Sequence, residues 1–266
     1  MKNKLISYLI LVHLIITFSF SNANELPTES NVPGGIVIVP ITSKDRPKAF
    51  FYDKKVMVIG EIGNWKAIIG IPLKIELGEH KLKVISNGAE ANHVFEVVNK
   101  DYESQYLTIK NKRQVNPNKE DMLRISKERK LISKAKRNWR QIDNVPLNFI
   151  KPAKGPFSSA FGLRRFFNNQ PRNPHSGLDI AAKTGTPIVA PAVGIVTNAG
   201  DYFFNGKTVF LDHGQGLITM YCHMEKINVK KGDIVNTNDL IGTIGSTGRV
   251  TGAHLHWSVI LNNTTV

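Results

Sequence analysis

The sequence is poor in cysteine, in aromatic residues and in acidic residues, and each shortage narrows the class of protein. One cysteine in 266 residues excludes an internal disulfide framework and a cysteine-rich zinc finger. Aromatic residues make up 8% of the chain, and no motif of aromatic and basic residues typical of nucleic-acid recognition is present. With 41% hydrophobic and 21% charged residues, the composition is that of a globular chain.

The first 23 residues are typical of a secretory signal peptide. Lys2 and Lys4 precede a mainly apolar run over residues 5–20, and small residues occupy the −3 and −1 positions of a cleavage site after Ala23. The run is short for a membrane-spanning helix, which needs about 20 residues. We therefore expect a mature protein in a bacterial periplasm; the alternative is an uncleaved N-terminal anchor. No later segment is predicted to span a membrane.

The shortage of acidic residues is concentrated in one segment. The net charge is +14, and residues 110–140 hold twelve Lys and Arg against three Asp and Glu. Apolar residues at helical spacing, among them Met122, Ile125, Leu131 and Ala135, predict a helix within 118–141 with Asn118 as its N-cap. Two interpretations stay open, namely a solvated linker helix and attraction to an anionic envelope surface. Nucleic acid is not an expected partner.

The patterning divides the mature chain into three parts. Six short strand-like runs between residues 36 and 98, separated by turn signals such as Asn87-Gly88, predict a small β-sandwich over 24–109. Residues 110–154 form the basic helical linker. Residues 155–266 are rich in Gly and β-branched residues and carry seven predicted strands. The expected class is all-β, with an antiparallel sheet in the last part.

Histidines cluster in this last part in three short patterns. They are His175-Ser-Gly-Leu-Asp179, Tyr221-Cys-His223 and His254-Leu-His256. Because side chains alternate along a strand, each pattern is predicted to direct its two end residues to one face, and Cys222 to the opposite face.

Imidazole and carboxylate are suitable ligands for Zn²⁺, and three protein ligands with one open position make a catalytic site. His175, Asp179 and one of His254 and His256 would supply the three ligands, leaving two imidazoles for proton transfer. The alternative is that each histidine is a hydrogen-bonded turn or core residue.

Longer motifs in the same region resemble the lysostaphin/LytM-type zinc endopeptidases. The matching segments are FGLR at 161–164, PHSGLDIA at 174–181, TMYCHM at 219–224, GTIGSTGR at 242–249 and TGAHLHW at 251–257. The resemblance implies one Zn²⁺ held by His175, Asp179 and His256, with His223 and His254 as the catalytic pair. It also implies hydrolysis of peptide cross-links in bacterial peptidoglycan, and a leading β domain like that of some periplasmic members.

Further expectations concern the substrate contacts, the bond that is cleaved and the competing functions. Arg164 and Arg165 are predicted to contact carboxylates of the stem peptide, and Tyr221 is a third predicted substrate-binding residue. The periplasmic address favours D-Ala–meso-diaminopimelate bonds over pentaglycine. The competing function is that of a non-catalytic activator of another wall hydrolase, because degenerate relatives of that kind exist. A glycosidase is disfavoured because no second acid in this region pairs with Asp179.

Overall fold

A computed structural model describes residues 25–266 of the chain. The signal peptide predicted for residues 1–23 lies outside the described residues. The described part of the chain is mostly β, with nineteen strands, one α-helix and one short 3-10 helix. This confirms the all-β class expected from the strand-like patterning.

The leading part of the chain forms one six-stranded antiparallel sheet with strand order β1-β4-β3-β2-β5-β6. Its strands are β1 (Ile36–Ile41), β2 (Lys48–Phe51), β3 (Lys54–Glu61), β4 (Asn64–Gly70), β5 (Gly78–Ser86) and β6 (Ala89–Val97). All six predicted strands are present, with ends that differ by a few residues. Asn87 and Gly88 both have positive φ, the conformation that a two-residue hairpin between β5 and β6 requires.

The core of this leading sheet is apolar and contains residues from both edge strands. Val37 of β1 and Val97 of β6 belong to the same buried cluster, together with Phe51 and Leu82 from the central strands. The two ends therefore enclose one core between them, in the manner of a sandwich.

The connecting segment contains strand β7 (Ser104–Leu107), a 3-10 helix (Lys112–Gln114) and helix α1 (Lys119–Lys136). Asn118 caps α1 as predicted, in a capping box with Asp121. The helix ends earlier than the predicted stretch because Asn138 and Arg140 leave it to bind the Asp212 carboxylate, each at 3.0 Å. The helix is not a free linker, since it packs onto the last sheet.

The predicted apolar face of α1 is only partly correct. Ile125 and Ala135 are buried, and Ile132 packs against the cluster that contains Ala135. Met122 and Leu131 are exposed, by 45% and 51%. The buried stripe is therefore narrower than the apolar pattern indicates, because the helix contacts the sheet along one line only.

The last part of the chain forms a ten-stranded sheet whose main path is β16-β13-β14-β15-β18-β11-β8. Its strands are β8 (Phe157–Ser159), β11 (Leu178–Ala181), β12 (Pro187–Val189), β13 (Gly194–Tyr202), β14 (Gly206–Gly214), β15 (Leu217–Ile227), β16 (Ile234–Val235), β17 (Leu240–Ile244), β18 (His254–Leu261) and β19 (Thr264–Thr265). The ladders of this sheet are antiparallel, as predicted. The strands β8, β11 and β19 were not predicted.

A small third sheet joins the connecting segment to the last part. It consists of β7, β9 (Arg164–Phe167) and β10 (Gln170–Pro171), with β7 parallel to β9. The sequence assigns residues up to 109 to the leading domain, but β7 pairs with a strand beyond the helix. The exact domain boundaries stay a prediction.

Polar and apolar contacts hold the leading and last sheets together. The Asn262 side chain accepts a hydrogen bond from the Gly70 N–H at 2.6 Å and donates one to the Gly70 carbonyl at 3.0 Å. The Gln215 Oε1 atom accepts from the Val58 N–H at 3.0 Å. One apolar cluster contains Met57 of the leading sheet and Leu261 of the last. The two sheets thus share a buried interface.

Candidate metal centre

Two neighbouring strands and the loop before one of them bring three potential ligands together. Asp179 on β11 lies directly opposite His256 on β18, and His175 precedes β11 in the loop. The His175 Nε2, Asp179 Oδ1 and His256 Nδ1 atoms lie 2.9 Å apart in each of the three pairs. All three side chains are buried. The convergence expected from the spacing is therefore present.

The protonation of these groups favours a cation at their centre. The His175 Nδ1–H donates to the Ala160 carbonyl at 2.6 Å, which directs the other ring nitrogen, Nε2, to the cluster. Burial lowers the pKa of His256 to about 4, which keeps this ring neutral. Burial raises the pKa of Asp179, but His175 and His256 hold it well below its ordinary value.

Two neutral imidazoles and one carboxylate are a donor set that zinc binds. Tetrahedral zinc with bonds of about 2.0–2.1 Å has ligand atoms roughly 3.3 Å apart, close to the 2.9 Å found here. The residues present therefore fit a zinc ion, with room for a further ligand on the open side.

Arg165 supports the Asp179 carboxylate from the side away from the histidines. Its Nη2 donates to Asp179 Oδ2 at 3.0 Å and to Ser159 Oγ at 3.3 Å, and its Nε donates to Gln105 Oε1 at 3.1 Å. The second carboxylate oxygen is thus held by the protein, while Oδ1 faces the cluster. The sequence predicts a substrate contact for Arg165, but the structure pairs its guanidinium with Asp179. The other predicted arginine, Arg164, is exposed.

The remaining two histidines lie beside the cluster in matching orientations. The Nδ1–H of His223 donates to the Thr247 carbonyl at 2.8 Å, and that of His254 donates to the Gly252 carbonyl at 2.9 Å. Their ring centroids are 4.9 Å apart, and His254 Nε2 is 3.8 Å from Asp179 Oδ1. Burial, followed by repulsion from His254 and His256, lowers the pKa of His223 well below its ordinary value. In each ring a carbonyl therefore holds Nδ1–H, and Nε2 is the nitrogen without a hydrogen bond within residues 25–266.

A backbone irregularity in β15 changes the predicted directions of its side chains. The pairing of β15 with β14 shifts by one residue next to His223, whose φ is +63°. Such a bulge directs consecutive side chains to the same side of the sheet. Cys222 and His223 consequently both line the cavity beside the cluster, so the prediction that Cys222 points to the opposite face from His223 is wrong. Cys222 is nevertheless buried, as expected.

The same bulge removes Tyr221 from the site. The ring is fully buried within the aliphatic core of the last sheet, and its hydroxyl is hydrogen-bonded to Thr219 Oγ1 at 2.8 Å. The predicted substrate contact for Tyr221 is therefore corrected, because no part of this side chain reaches the groove.

Two cavities open on either side of the cluster. The helix-side cavity, of about 500 Å³, is lined by residues that include Ile125, Ile132, Lys136, Arg172, His223, Arg249 and His256. The loop-side cavity, of about 240 Å³, is lined by residues that include Gln105, Ser159, Thr251, Gly252 and His254. Four residues line both cavities, namely Arg165, Phe167, His223 and Arg249. The candidate metal centre thus lies in a groove that is open on both sides.

Sequence reasoning missed several residues around the centre. Gln105 reaches Arg165 because β7 pairs with β9 directly opposite it, and the sequence contains no local signal for that pairing. Ser159 belongs to a strand too short for a period to be recognised. Lys136 stood in a charged helix, where nothing distinguished it from its solvent-exposed neighbours.

No helix within residues 25–266 combines the length and the apolar character needed to cross a membrane.

Comparisons with known proteins agree with the geometry. Residues 173–266 match the model of peptidase family M23, and residues 29–100 match the model of the peptidase family M23 N-terminal domain. A crystal structure from Pseudomonas aeruginosa that carries the peptidase M23 name is 41% identical. It covers 90% of this chain and 93% of its own, with a TM-score of 0.76.

Two curated relatives come from Vibrio cholerae. The peptidoglycan DD-endopeptidase ShyA is 40% identical over 110 residues, which is 41% of this chain and 26% of that protein. The peptidoglycan DD-endopeptidase ShyC is 43% identical over 88 residues, which is 33% of this chain and 20% of that protein. The matches thus span about a quarter of the length of these relatives.

Proposed function

The chain belongs to peptidase family M23, and we propose on this basis that it is a zinc-dependent endopeptidase that hydrolyses peptide cross-links of bacterial peptidoglycan. The observation that carries the proposal is the buried His-Asp-His cluster with two further imidazoles beside it. The names of the Vibrio cholerae relatives support peptidoglycan as the substrate.

The three converging side chains would hold the metal. His175 contributes Nε2, Asp179 contributes Oδ1 and His256 contributes Nδ1. A zinc ion bound by them supplies a Lewis acid for the scissile carbonyl and lowers the pKa of a water molecule toward about 7.

His223 and His254 perform the proton transfers of the reaction. Because a backbone carbonyl accepts the Nδ1–H of each ring, the Nε2 atoms are free to take the proton of the attacking water. As the carbon–oxygen bond forms, the protonated imidazole donates a hydrogen bond to the developing oxyanion. The proton then passes to the leaving nitrogen when the carbon–nitrogen bond breaks, which releases one amine and one carboxylate.

The completeness of the site favours catalysis over the alternative of a non-catalytic activator. All five side chains that the reaction needs are present, and their orientations are fixed by hydrogen bonds within the fold. An activator needs a binding surface, and nothing in such a role requires three converging buried ligand atoms. The periplasm, the cleavage of D-Ala–meso-diaminopimelate bonds and the attraction of residues 110–140 to an anionic surface are further parts of the proposal.

The test is digestion of purified peptidoglycan by the full mature chain, with zinc and with a chelator, followed by mass analysis. We expect fragments with new amine and carboxylate ends and no new reducing sugars, and loss of cleavage with chelator. A protein that retains zinc but releases no fragment would contradict the proposal and favour the activator function.

Two variants separate the assigned roles of the ligand and the base. His256→Ala should lose both zinc and activity, whereas His254→Ala should keep zinc and slow hydrolysis by about 10²–10⁴-fold. His93→Ala, which removes a partly exposed histidine on β6, is the matched control and should change neither property. Equal zinc loss in His254→Ala and His256→Ala would reverse the assignment.

A further inference from the structure

The helix-side cavity is markedly positive. Five cationic side chains line it, and Glu128 is the one acidic residue among its lining residues. The carboxylate of Glu128 already has partners, because its two oxygens accept hydrogen bonds from the Arg124 side chain and from the Phe203 N–H. Arg165 is paired with Asp179. The other cations therefore keep their charge without compensation from these acids.

Four of these cations have no carboxylate partner within residues 25–266, and all of them except the exposed Arg129 are partly buried. Arg249 lies between the rings of Phe167 and Phe204, with its guanidinium carbon 4.6 Å and 4.3 Å from the two centroids. Stacking of this kind fixes the plane of the guanidinium, and apart from a hydrogen bond from Nη1 to the Gln114 carbonyl at 3.4 Å its edge is available to a ligand. Burial, together with repulsion from Arg165 and Arg172, lowers the pKa of Arg249 to about 10.

Arg172 and Lys136 extend this charge toward helix α1. Arg172 is oriented by neutral acceptors only, and these include the Pro171 carbonyl at 2.8 Å, the Val115 carbonyl at 2.9 Å and Gln170 Oε1 at 2.7 Å. The Lys136 ammonium group makes neither a hydrogen bond nor an ion pair with any described residue, and burial of this partly buried side chain lowers its pKa. A partly desolvated ammonium group without an acidic partner is unfavourable, so its position in the lining of this cavity indicates an anionic ligand.

We propose that the helix-side cavity is a carboxylate-binding subsite, in which Arg249, Arg172 and Lys136 hold a free carboxylate of the substrate peptide on one side of the scissile bond. This inference rests on the proposed function for its substrate and names the chemical group that the site selects. Guanidinium edges bind carboxylates through paired charge-assisted hydrogen bonds. A volume of about 500 Å³ accommodates a group of several atoms beside the metal centre.

The subsite predicts the direction in which a peptide lies in the groove. Lys136 and Arg172 line the helix-side cavity but not the loop-side cavity. A peptide that crosses the metal centre would therefore place its free carboxylate toward α1. Helix α1, which connects the two main sheets, would therefore line the substrate site.

The test measures binding of a peptide that the enzyme cannot hydrolyse. The full mature chain with zinc bound is titrated calorimetrically with a stem tripeptide that ends in meso-diaminopimelate, and with the same tripeptide carrying carboxamides. We expect the free-carboxylate form to bind at least about 10-fold more tightly. Equal affinity for the two forms would overturn the inference.

Variants show whether the proposed residues are responsible. Lys136→Gln and Arg249→Gln should each reduce the preference severalfold, while Lys127→Gln, on the exposed face of the same helix, should retain it. Arg249→Lys keeps the charge and should retain part of the preference, which separates a lost charge from a misfolded site. A preference that survives in both Lys136→Gln and Arg249→Gln would mean that the carboxylate binds the zinc directly, and would overturn the subsite.

Failure of this inference can be told from failure of the proposed function. A protein that selects the free carboxylate but does not cleave peptidoglycan would refute the endopeptidase and retain the subsite. A protein that cleaves peptidoglycan and binds both tripeptides equally would refute the subsite alone.

Discussion

The two main sheets are built on similar apolar patterns but bury very different polar groups. Within residues 36–97, Ser43 is the one buried polar side chain, and the core around it is aliphatic and aromatic. The last sheet buries histidines, carboxylates, amides and hydroxyls, among them Asp179, Asp212 and His213. Burying such groups costs free energy unless each has a hydrogen-bond partner. Their presence in the last sheet therefore indicates that polar contacts have a role there.

The polar groups buried in the last sheet serve three separate roles. His175, Asp179 and His256 converge on the metal centre. His213 is a structural group, since its Nδ1–H donates to the Val193 carbonyl and its Nε2 is bonded to Thr219 Oγ1, both at 2.8 Å. Asn262 holds the interface with the leading sheet. A buried polar residue is therefore informative only once its partners are known.

The largest expected effect is the acid sensitivity that His213 gives to the last sheet. Burial lowers the pKa of His213 to about 4, below the value of about 6.5 in an unfolded chain. The folded state thus favours the neutral ring, and this stabilisation is complete above pH 6.5 and is lost as the pH falls toward 4. The loss amounts to about 3 kcal/mol.

Urea unfolding between pH 4 and 8 measures this effect. On the acid side, His213→Gln should reduce the slope of the unfolding free energy against pH. The reduction corresponds to the binding of up to one proton fewer on unfolding than in the natural chain. The metal-site histidines are the same in both proteins, so their contribution cancels in the comparison. His93→Gln removes a partly exposed histidine of the leading sheet and is the control. Parallel curves for His213→Gln and the natural chain would show that His213 does not titrate in this way.

The next largest effect concerns Arg165, which supports a ligand without touching the metal position. Replacing partners of this kind reduces metal affinity by about 10–100-fold. We expect Arg165→Gln to fall in this range, because Asp179 Oδ2 would lose the guanidinium that orients it. Arg165→Lys keeps the charge and should recover part of the affinity. The measurement is zinc affinity by competition with a chromogenic chelator, and unchanged affinity in Arg165→Gln would refute the positioning role.

The sequence predicts those features of the fold and of the site that depend on residues close together along the chain. Alternating apolar residues and the Asn87-Gly88 turn correctly predict the strands of the leading sheet, since those signals are local. The spacing of His175 and Asp179, and of His254 and His256, predicts the candidate ligands for the same reason.

What could not be predicted depends on contacts distant along the chain or on local departures from regularity. Gln105 reaches the site through a parallel pairing across some sixty residues. The bulge at His223 is not signalled by glycine, although the left-handed conformation there would favour one. The burial of Lys136 arises from how α1 docks on the last sheet, which its charged composition does not indicate.

A smaller effect is expected at the interface between the two sheets. Asn262→Ala removes both hydrogen bonds to the Gly70 backbone, so a buried N–H and a buried carbonyl lose their partners. We expect a loss of about 1–2 kcal/mol in the free energy of unfolding, measured with urea. Asn228→Ala, at an exposed loop position of the last sheet, is the control. A loss in Asn262→Ala no greater than in the control would mean that the interface is held by its apolar cluster alone.

The smallest effect is expected for the buried hydroxyl of the leading sheet, and it tests the comparison most directly. The Ser43 Oγ atom has no hydrogen-bond partner within residues 25–266, whereas its carbonyl accepts from Trp65 Nε1 at 3.1 Å and from the Gly63 N–H at 2.8 Å. Ser43→Ala keeps that carbonyl and removes an unpaired polar atom, so stability should stay equal or rise slightly. Urea unfolding measures this. Thr219→Val supplies the contrast from the last sheet, because the Thr219 hydroxyl is bonded to both His213 and Tyr221. If Ser43→Ala destabilised the protein as much as Thr219→Val does, the two sheets would not differ in how they use buried polar groups.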